Sequence, residues 1–381
     1  MINGINNIGL YIHFPWCIKK CPYCDFNSHV HHGSIPEQEY ISALIDDFNT
    51  VLPFLTGKTL CSIFMGGGTP SLFSPASIKS LLTHINTYYP LHDIEITLEA
   101  NPGTLDQSHL EGYRVAGINR LSIGVQSFDD TSLQELGRIH SAEHAHRALE
   151  SATLLFPRIN IDLMFGLPKQ SIVMGLNDLQ IACNYNIEHI SWYQLTIEAG
   201  THFAKQTPML PQVEFIEELY EQGLSILTTA GFHQYEISAH TRNKSSTHNV
   251  NYWLHGDYIG IGAGAHSKLS FSDRIERWSL WRQPKKYLAH QGLERREWQT
   301  IVADKEKLFE YFLNRSRMGA EVTWQEIQLR TGLEISYIKH YLQSCPGVND
   351  FLTLDDNKLI FLPKCMLFNR SFMELLINQH D

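Results

Sequence analysis

A chain of 381 residues, 43% of them apolar and 18% charged, has a soluble globular composition and the length for two domains. Its 30 Lys and Arg against 40 Asp and Glu leave a net charge of −10, which argues against a nucleic-acid partner, because phosphate binding needs clustered cations. No apolar run approaches a bilayer span, and the opening MINGINNIGLYIHF lacks the basic start and cleavage site of a secretory signal, so a cytoplasmic protein without a transmembrane segment is expected.

The first predicted strand, 9–13 (GLYIH), leads into Cys17-Ile-Lys-Lys-Cys21-Pro-Tyr-Cys24. Three thiolates at C-x3-C-x2-C spacing can hold three irons of a four-iron cluster. Such clusters normally take four Cys, so the fourth iron is left for an exchangeable ligand. Zinc is the alternative; it wants four donors, and the spare ones nearby are His29, His31 and His32. The other cysteines (Cys61, Cys183, Cys345 and Cys365) are scattered, which suits small buried apolar residues in a reducing compartment rather than a disulfide framework.

Short apolar runs bounded by turn residues predict further strands at 60–65, 94–98, 120–125, 158–164 and 189–195. Apolar residues at helical spacing fill the gaps, at 36–55, 74–89, 104–116, 141–155 and 171–185. This alternation predicts a parallel sheet, either a three-quarter barrel or an open doubly wound sheet. The polar residues decide between them. Gly66-Gly67-Gly68-Thr69-Pro70 follows the second strand, Glu99-Ala-Asn101-Pro102 ends the third, and Gln126-Ser127 ends the fourth. Asp162 lies late in the fifth, ahead of Gly166-Leu-Pro168. All sit at C-terminal strand ends, the rim that carries the site in α/β barrels. The fold class is therefore α/β, a partial (β/α)6 TIM-like barrel.

The stretch 231–300 is less regular. GFHQYEISA (231–239) reads as a strand approach, and GDYIGIGAGAHS as one more strand with a glycine turn. Its glycines open no helix of a βαβ unit, so no dinucleotide site is assigned there. From 301 the pattern becomes helices at 303–318, 323–331 and 334–344, a hairpin at 351–362 turning on DDNK, and a helix at 363–378. That is a smaller, winged-helix-like α+β domain. With nine Lys and Arg against eleven Asp and Glu it lacks the charge to read DNA, and suits a lid or partner surface.

The cysteine motif with Tyr23 before its last Cys resembles the radical S-adenosylmethionine (SAM) superfamily. Together YIHFPWCIKKCPYCDFNSH, GGGTPS, EANPGT, GVQSF, LGRIH and DLMFGLP resemble the oxygen-independent coproporphyrinogen-oxidase-like branch, over residues 8 to about 270 and the C-terminal module. The resemblance implies a radical SAM barrel (1–240), a connecting segment (241–300) and a C-terminal domain (301–381). It implies a [4Fe–4S] cluster on Cys17, Cys21 and Cys24, with SAM on the open iron. Gly67 and Gly68 with Thr69 would meet the methionine amino group, and Arg138 the carboxylate. Glu99, Gln126 and Asp162 would contact ribose or amine, and Tyr11 SAM or substrate. For each of these, strand-end hydrogen bonding or a tight turn is the plainer alternative.

Within that branch, the oxidases carry an N-terminal extension and a further Cys where this chain has Phe26. The other subgroup, the HemW-type haem chaperones, carries HNxxYW, matched by His248-Asn249-Val-Asn-Tyr252-Trp253. His is a common haem ligand, and Tyr and Trp can flank a porphyrin. A packed aromatic pair at a strand-edge turn is the alternative. His13, His240, His255 and His266 are rival ligands to His248. The resemblance implies a protein that binds haem and passes it to acceptor haemoproteins such as respiratory enzymes, with a homodimer as one arrangement. SAM-dependent oxidation of coproporphyrinogen III is the enzymatic alternative.

Overall fold

The computed structural model describes residues 6–377. Residues 1–5 and 378–381, which include the start of the N-terminal stretch and the last residue of the expected final helix, lie outside the described residues.

Six strands, β1 (Asn7–Phe14), β2 (Thr59–Gly67), β3 (Glu95–Ala100), β4 (Arg120–Gln126), β5 (Arg158–Phe165) and β6 (His189–Gln194), run parallel in chain order. Between them lie α1 (Glu37–Val51), α2 (Pro75–Asn86), α3 (Gln107–Ala116), α4 (Ala142–Leu155) and α5 (Ile172–Asn184). Start signals are explicit in the sequence. Ser74, Asp106, Ser141 and Ser171 each accept a hydrogen bond from a first-turn N–H, and Gly117 takes the left-handed conformation that ends α3.

The sheet extends beyond these strands at both sides. After α6 (Val213–Thr229), β7 (His233–Glu236) and β8 (Ala239–Thr241) add antiparallel strands beside β6. After α7 (Thr247–Trp253), β9 (Asp257–Ile261) pairs parallel with β1 on its other flank. The antiparallel strands β10 (His266–Ser270), β11 (Ile275–Leu280) and β12 (Arg296–Ile301) follow. Among the described residues this makes one 12-stranded sheet, open at β7 and β12. The strand and glycine turn read in GDYIGIGAGAHS are β9, its turn and β10. The segment HNVNYW is not a strand-edge turn but the short helix α7, begun by Ser246, whose side chain accepts from Asn249 N.

Period two decides what each face of the sheet carries. Ile8, Leu10, Ile12, Ile63, Met65, Ile96, Leu98, Leu121, Ile123, Ile159, Ile161 and Ile190 face the helices and are buried in the main core. The alternate residues line the concave face, and they are polar: Glu95, Thr97 and Glu99 on β3, Arg120 and Ser122 on β4, Arg158, Asn160 and Asp162 on β5, His189 and Ser191 on β6. Most of these groups pair with one another, while Arg120 Nε is buried without a partner. Asn160 Nδ2 donates to Asp162 Oδ1 at 2.7 Å, His189 Nδ1 donates to Asn160 Oδ1 at 2.6 Å, and Tyr235 OH donates to His189 Nε2 at 2.8 Å. At the base of the lumen Glu95 accepts from Arg158 Nη1 at 2.6 Å and from the N–H groups of Thr247 and His248 at 3.0 and 3.1 Å. Burial opposes ionisation of Glu95, but the charges of Arg120 and Arg158 outweigh it and hold its carboxyl below the usual range. Glu95 thus fastens α7 across the lumen.

A second core, from Leu308 to Leu376, joins α8 (Asp304–Arg315), α9 (Trp324–Thr331), α10 (Ile335–Ser344) and a three-stranded sheet. The expected hairpin is β14 (Leu352–Leu354) and β15 (Lys358–Phe361), and β13 (Glu321–Thr323), absent from the sequence reading, pairs with β15.

Gly223 on α6 sits where a methyl group would collide with the buried indole of Trp192. Alanine in a helix ordinarily gains about 1 kcal/mol over glycine, while overpacking a core costs roughly 1–3 kcal/mol. The collision is expected to win: Gly223→Ala should lower stability by about 1 kcal/mol or more in urea unfolding. A more stable variant would mean that Trp192 can move aside.

Candidate functional site

The C-terminal ends of β1 to β6 open into a cavity of about 660 Å³. The cysteine loop forms one part of its wall, with Cys17, Cys21 and Cys24 all lining it. The loop is held by interactions that need no metal. Gly68 N donates to Phe14 O at 2.7 Å and Thr69 N to Trp16 O at 2.8 Å, so the glycine turn after β2 is hydrogen-bonded to the loop after β1. His13 Nε2 donates to Asn27 O at 2.8 Å, and Asn27 Nδ2 donates to Ala263 O and Arg282 O, both at 2.9 Å. Burial lowers His13 to about 4, so its neutral Nδ1 accepts from Tyr11 OH at 3.0 Å.

Each sulfur has a polar neighbour. Thr69 Oγ1 lies 3.5 Å from Cys17 Sγ, Arg138 Nη1 lies 3.6 Å from Cys21 Sγ, and Ser28 Oγ lies 3.7 Å from Cys24 Sγ. Burial raises the thiols of Cys17 and Cys24, so a nearby positive charge has to bring out their thiolates. Among the described residues no three His, Cys, Asp or Glu side chains converge as ligands of a single ion. A four-iron cube takes its three thiolates at three different irons, which suits a loop that presents its sulfurs around one wall.

Gly67, Gly68, Thr69, Glu99, Gln126, Arg138 and Asp162 line the same cavity. Gly67 has φ +108°, and a side chain there would strike His13. A methyl on Gly68 would sit 2.6 Å from Trp16 O and 2.7 Å from Phe14 O. These two positions therefore require glycine for packing, besides leaving room for a ligand. Gly67 N donates to Glu99 Oε2 at 3.1 Å. Arg138 Nη2 donates to Gly124 O at 2.8 Å, which aims its other edge at the cysteine loop. Gln126 has φ +71°, a strained value for a non-glycine residue, and its side chain accepts from Tyr193 OH at 2.7 Å.

Burial, and then the neighbouring Asp162, push the Glu99 carboxyl up to about 8; burial also raises Asp162. Two carboxyl groups short of positive charge favour a cationic ligand, since a cation beside them favours their ionised forms. A sulfonium nucleoside with an amino group has that charge, and Arg138 offers a fork for its carboxylate. The residues present fit a cluster and SAM.

Tyr11 and His248 are not brought to the cavity wall. Tyr11 lies deeper, bonded to His13. His248 is 2% exposed, with its ring stacked on Phe64 and its Nδ1 hydrogen-bonded to Ser62 Oγ at 2.9 Å. Burial lowers it to about 3, so it is neutral, and its Nε2 has no partner. It has the chemical state of an iron ligand without the access. The rivals do not line the cavity either. His13 sits under the cysteine loop, His240 is buried in β8, His255 meets Asn314, and His266 packs against Trp298. The motif's cavity-facing residues are Asn249 and Trp253, one helical turn apart. The sequence reading passed over their spacing, and it also missed Tyr193, Glu236 and Arg317. Tyr193 could have been found from the alternation in HISWYQ; Arg317 carries no local signal.

Residues 11–176 match the model of the radical SAM superfamily. The chain is 45% identical over 330 residues to the haem chaperone HemW of Escherichia coli, covering 86% of each chain. It is 46% identical over 343 residues to HemW of Haemophilus influenzae, covering 88% of this chain and 89% of that one. It is 44% identical over 267 residues to the mouse mitochondrial radical S-adenosyl methionine domain-containing protein 1, covering 68% of this chain and 60% of that one. The solved structure of E. coli coproporphyrinogen III oxidase (HemN), a radical SAM enzyme, superposes with a TM-score of 0.80 at 21% identity, over 97% of this chain and 89% of that one; at that identity it speaks for the fold alone.

Glu99 gives a pH test. Its carboxyl is raised above its unfolded value of 4.5, so its proton stabilises the fold fully below that pH and is lost as pH rises through about 8. Glu99→Gln cannot lose the proton. In metal-free protein under anaerobic conditions, the variant should gain stability relative to wild type from pH 5 to pH 8 in urea unfolding. A constant difference would mean that Glu99 is already ionised at pH 5.

Proposed function

We propose that this chain, which belongs to the HemW family within the radical SAM superfamily, binds haem and hands it to an acceptor haemoprotein in the cytoplasm. One observation carries the reading. The three cysteines and two residues of the HNxxYW motif, Asn249 and Trp253, line one cavity. Membership in the superfamily implies a [4Fe–4S] cluster and SAM. Cys17, Cys21 and Cys24 would hold the cluster. Gly67, Gly68, Thr69, Glu99, Gln126, Arg138 and Asp162 would surround SAM, with Tyr11 bracing the wall through His13. When bound, the cluster supplies one electron and an open coordination place.

Haem would lie on the cavity face of α7, where Trp253 offers an aromatic surface. His248 is the candidate axial ligand, because its imidazole is neutral, its Nδ1 is fixed on Ser62 and its Nε2 is free. To reach the iron, α7 has to turn His248 away from Phe64. No described helix is long and apolar enough to cross a membrane.

Anaerobic reconstitution with iron and sulfide should give the broad iron–sulfur absorbance, and Cys17, Cys21 and Cys24 changed together to Ala should remove it. Haem titration, with and without SAM, should then give a saturable spectrum that His248→Ala shifts. An unchanged spectrum would leave the binding and remove His248 as ligand. Catalytic turnover of coproporphyrinogen with SAM and reductant would replace the chaperone reading with the oxidase one.

A further inference from the structure

Arg317, just after α8, is the only part of the C-terminal module that reaches the cavity wall among the described residues. Its Nη2 donates to Glu236 Oε2 at 2.8 Å, and its guanidinium lies over the Trp253 ring, 4.4 Å from the centroid. Glu236 is nearly fully buried, and its other oxygen accepts from Ser238 N at 3.0 Å. The carboxylate is thus fixed, and it fixes the guanidinium. The remaining N–H groups of Arg317 have no partner among the described residues, and its Nε is shielded from solvent without one. Trp253 Nε1 is also shielded without a partner, and Asn249 lines the same wall.

Unmatched donors in a partly dry cavity are costly, and an arginine held by one nitrogen keeps the rest of its fork for a second acceptor. Arg138, the other arginine lining the cavity, stands at the cysteine loop, on Gly124 O and the Cys21 sulfur, where the reading above gives it to the carboxylate of SAM. We propose that Arg317 is a carboxylate anchor: Glu236 and Trp253 hold its guanidinium so that its open edge pairs with a propionate-type carboxylate of the bound tetrapyrrole. The proposal rests on the haem-binding reading above and assigns an orientation to it, with an acidic edge of the ligand at α7 and the C-terminal module. It also makes that module part of the site, since this module supplies the anchor.

The test uses the full chain, reconstituted anaerobically, and two probes: haemin, and haemin dimethyl ester, which keeps the ring and iron but has no carboxylate. Wild type should bind haemin roughly tenfold more tightly than the ester, the value of one charge-assisted hydrogen-bonded pair. Arg317→Ala should lose most of that preference by weakening haemin alone. Arg317→Lys, which keeps the charge and the fold but not the fork, should fall between them. Equal affinity of wild type for both probes, or an undiminished preference in Arg317→Ala or Arg317→Lys, overturns the anchor and leaves haem binding standing. If Arg317→Ala does not fold, the wild-type and Arg317→Lys comparison decides. Failure of wild type to bind either probe overturns the haem reading itself.

Discussion

A charge withdrawn from water has to be matched or neutralised, and this requirement shapes the concave face of the sheet. Arg120 and Arg158 stand among Glu95, Glu99 and Asp162 inside a partly closed barrel. At the base the matching is complete: Glu95 has two arginine charges and a helix start, and it stays ionised. At the rim it is incomplete. Glu99 and Asp162 outnumber the cations within reach, and burial raises both carboxyls, Glu99 to about 8, where a proton holds the place of a positive ligand. The gradient from matched base to unmatched rim separates scaffold from site within single strands: on β3, Glu95 is structural and Glu99, one turn of the pleat beyond Thr97, is available.

Much of this was legible in the sequence. All six parallel strands and their five helices fall within a few residues of the runs that predicted them, because β-branched strands bounded by Gly, Asn and Pro contrast sharply with capped amphipathic helices. The rim residues were legible too, since strand ends fix their depth. The polar lumen was not. The runs at 94–98, 120–125 and 158–164 were read as short apolar strands, but the alternation of polar residues inside them was not followed to its meaning. A strand whose second face carries Arg, Asn and Glu needs a closed, self-satisfying interior. Strands β11 and β12 escaped for a different reason: ERWSL and REWQTI are mixed in character, and their pairing is set by neighbours, not by propensity.

The HNVNYW segment shows how far a motif can be read without its geometry. Its chemistry is a proposal; the strand-edge turn that stood as the plainer alternative is instead a helix, begun at Ser246. On a helix, His248 and Tyr252 share one side and Asn249 and Trp253 the next, so the motif divides its labour. One side closes the lumen against Phe64 and Ser62, and the other faces the cavity. Arg317 completes that second side from a separate core, which no local pattern could announce.

The zipper between the cysteine loop and the glycine turn has a further consequence. Phe14, Trp16, Gly68 and Thr69 are joined by backbone groups, and His13 and Asn27 pin the far side, all without help from iron. The two loops that bring Cys17 and Thr69 together are thus locked in register by main-chain groups, so side chains on this seam can be exchanged while the spacing of the sulfurs is kept.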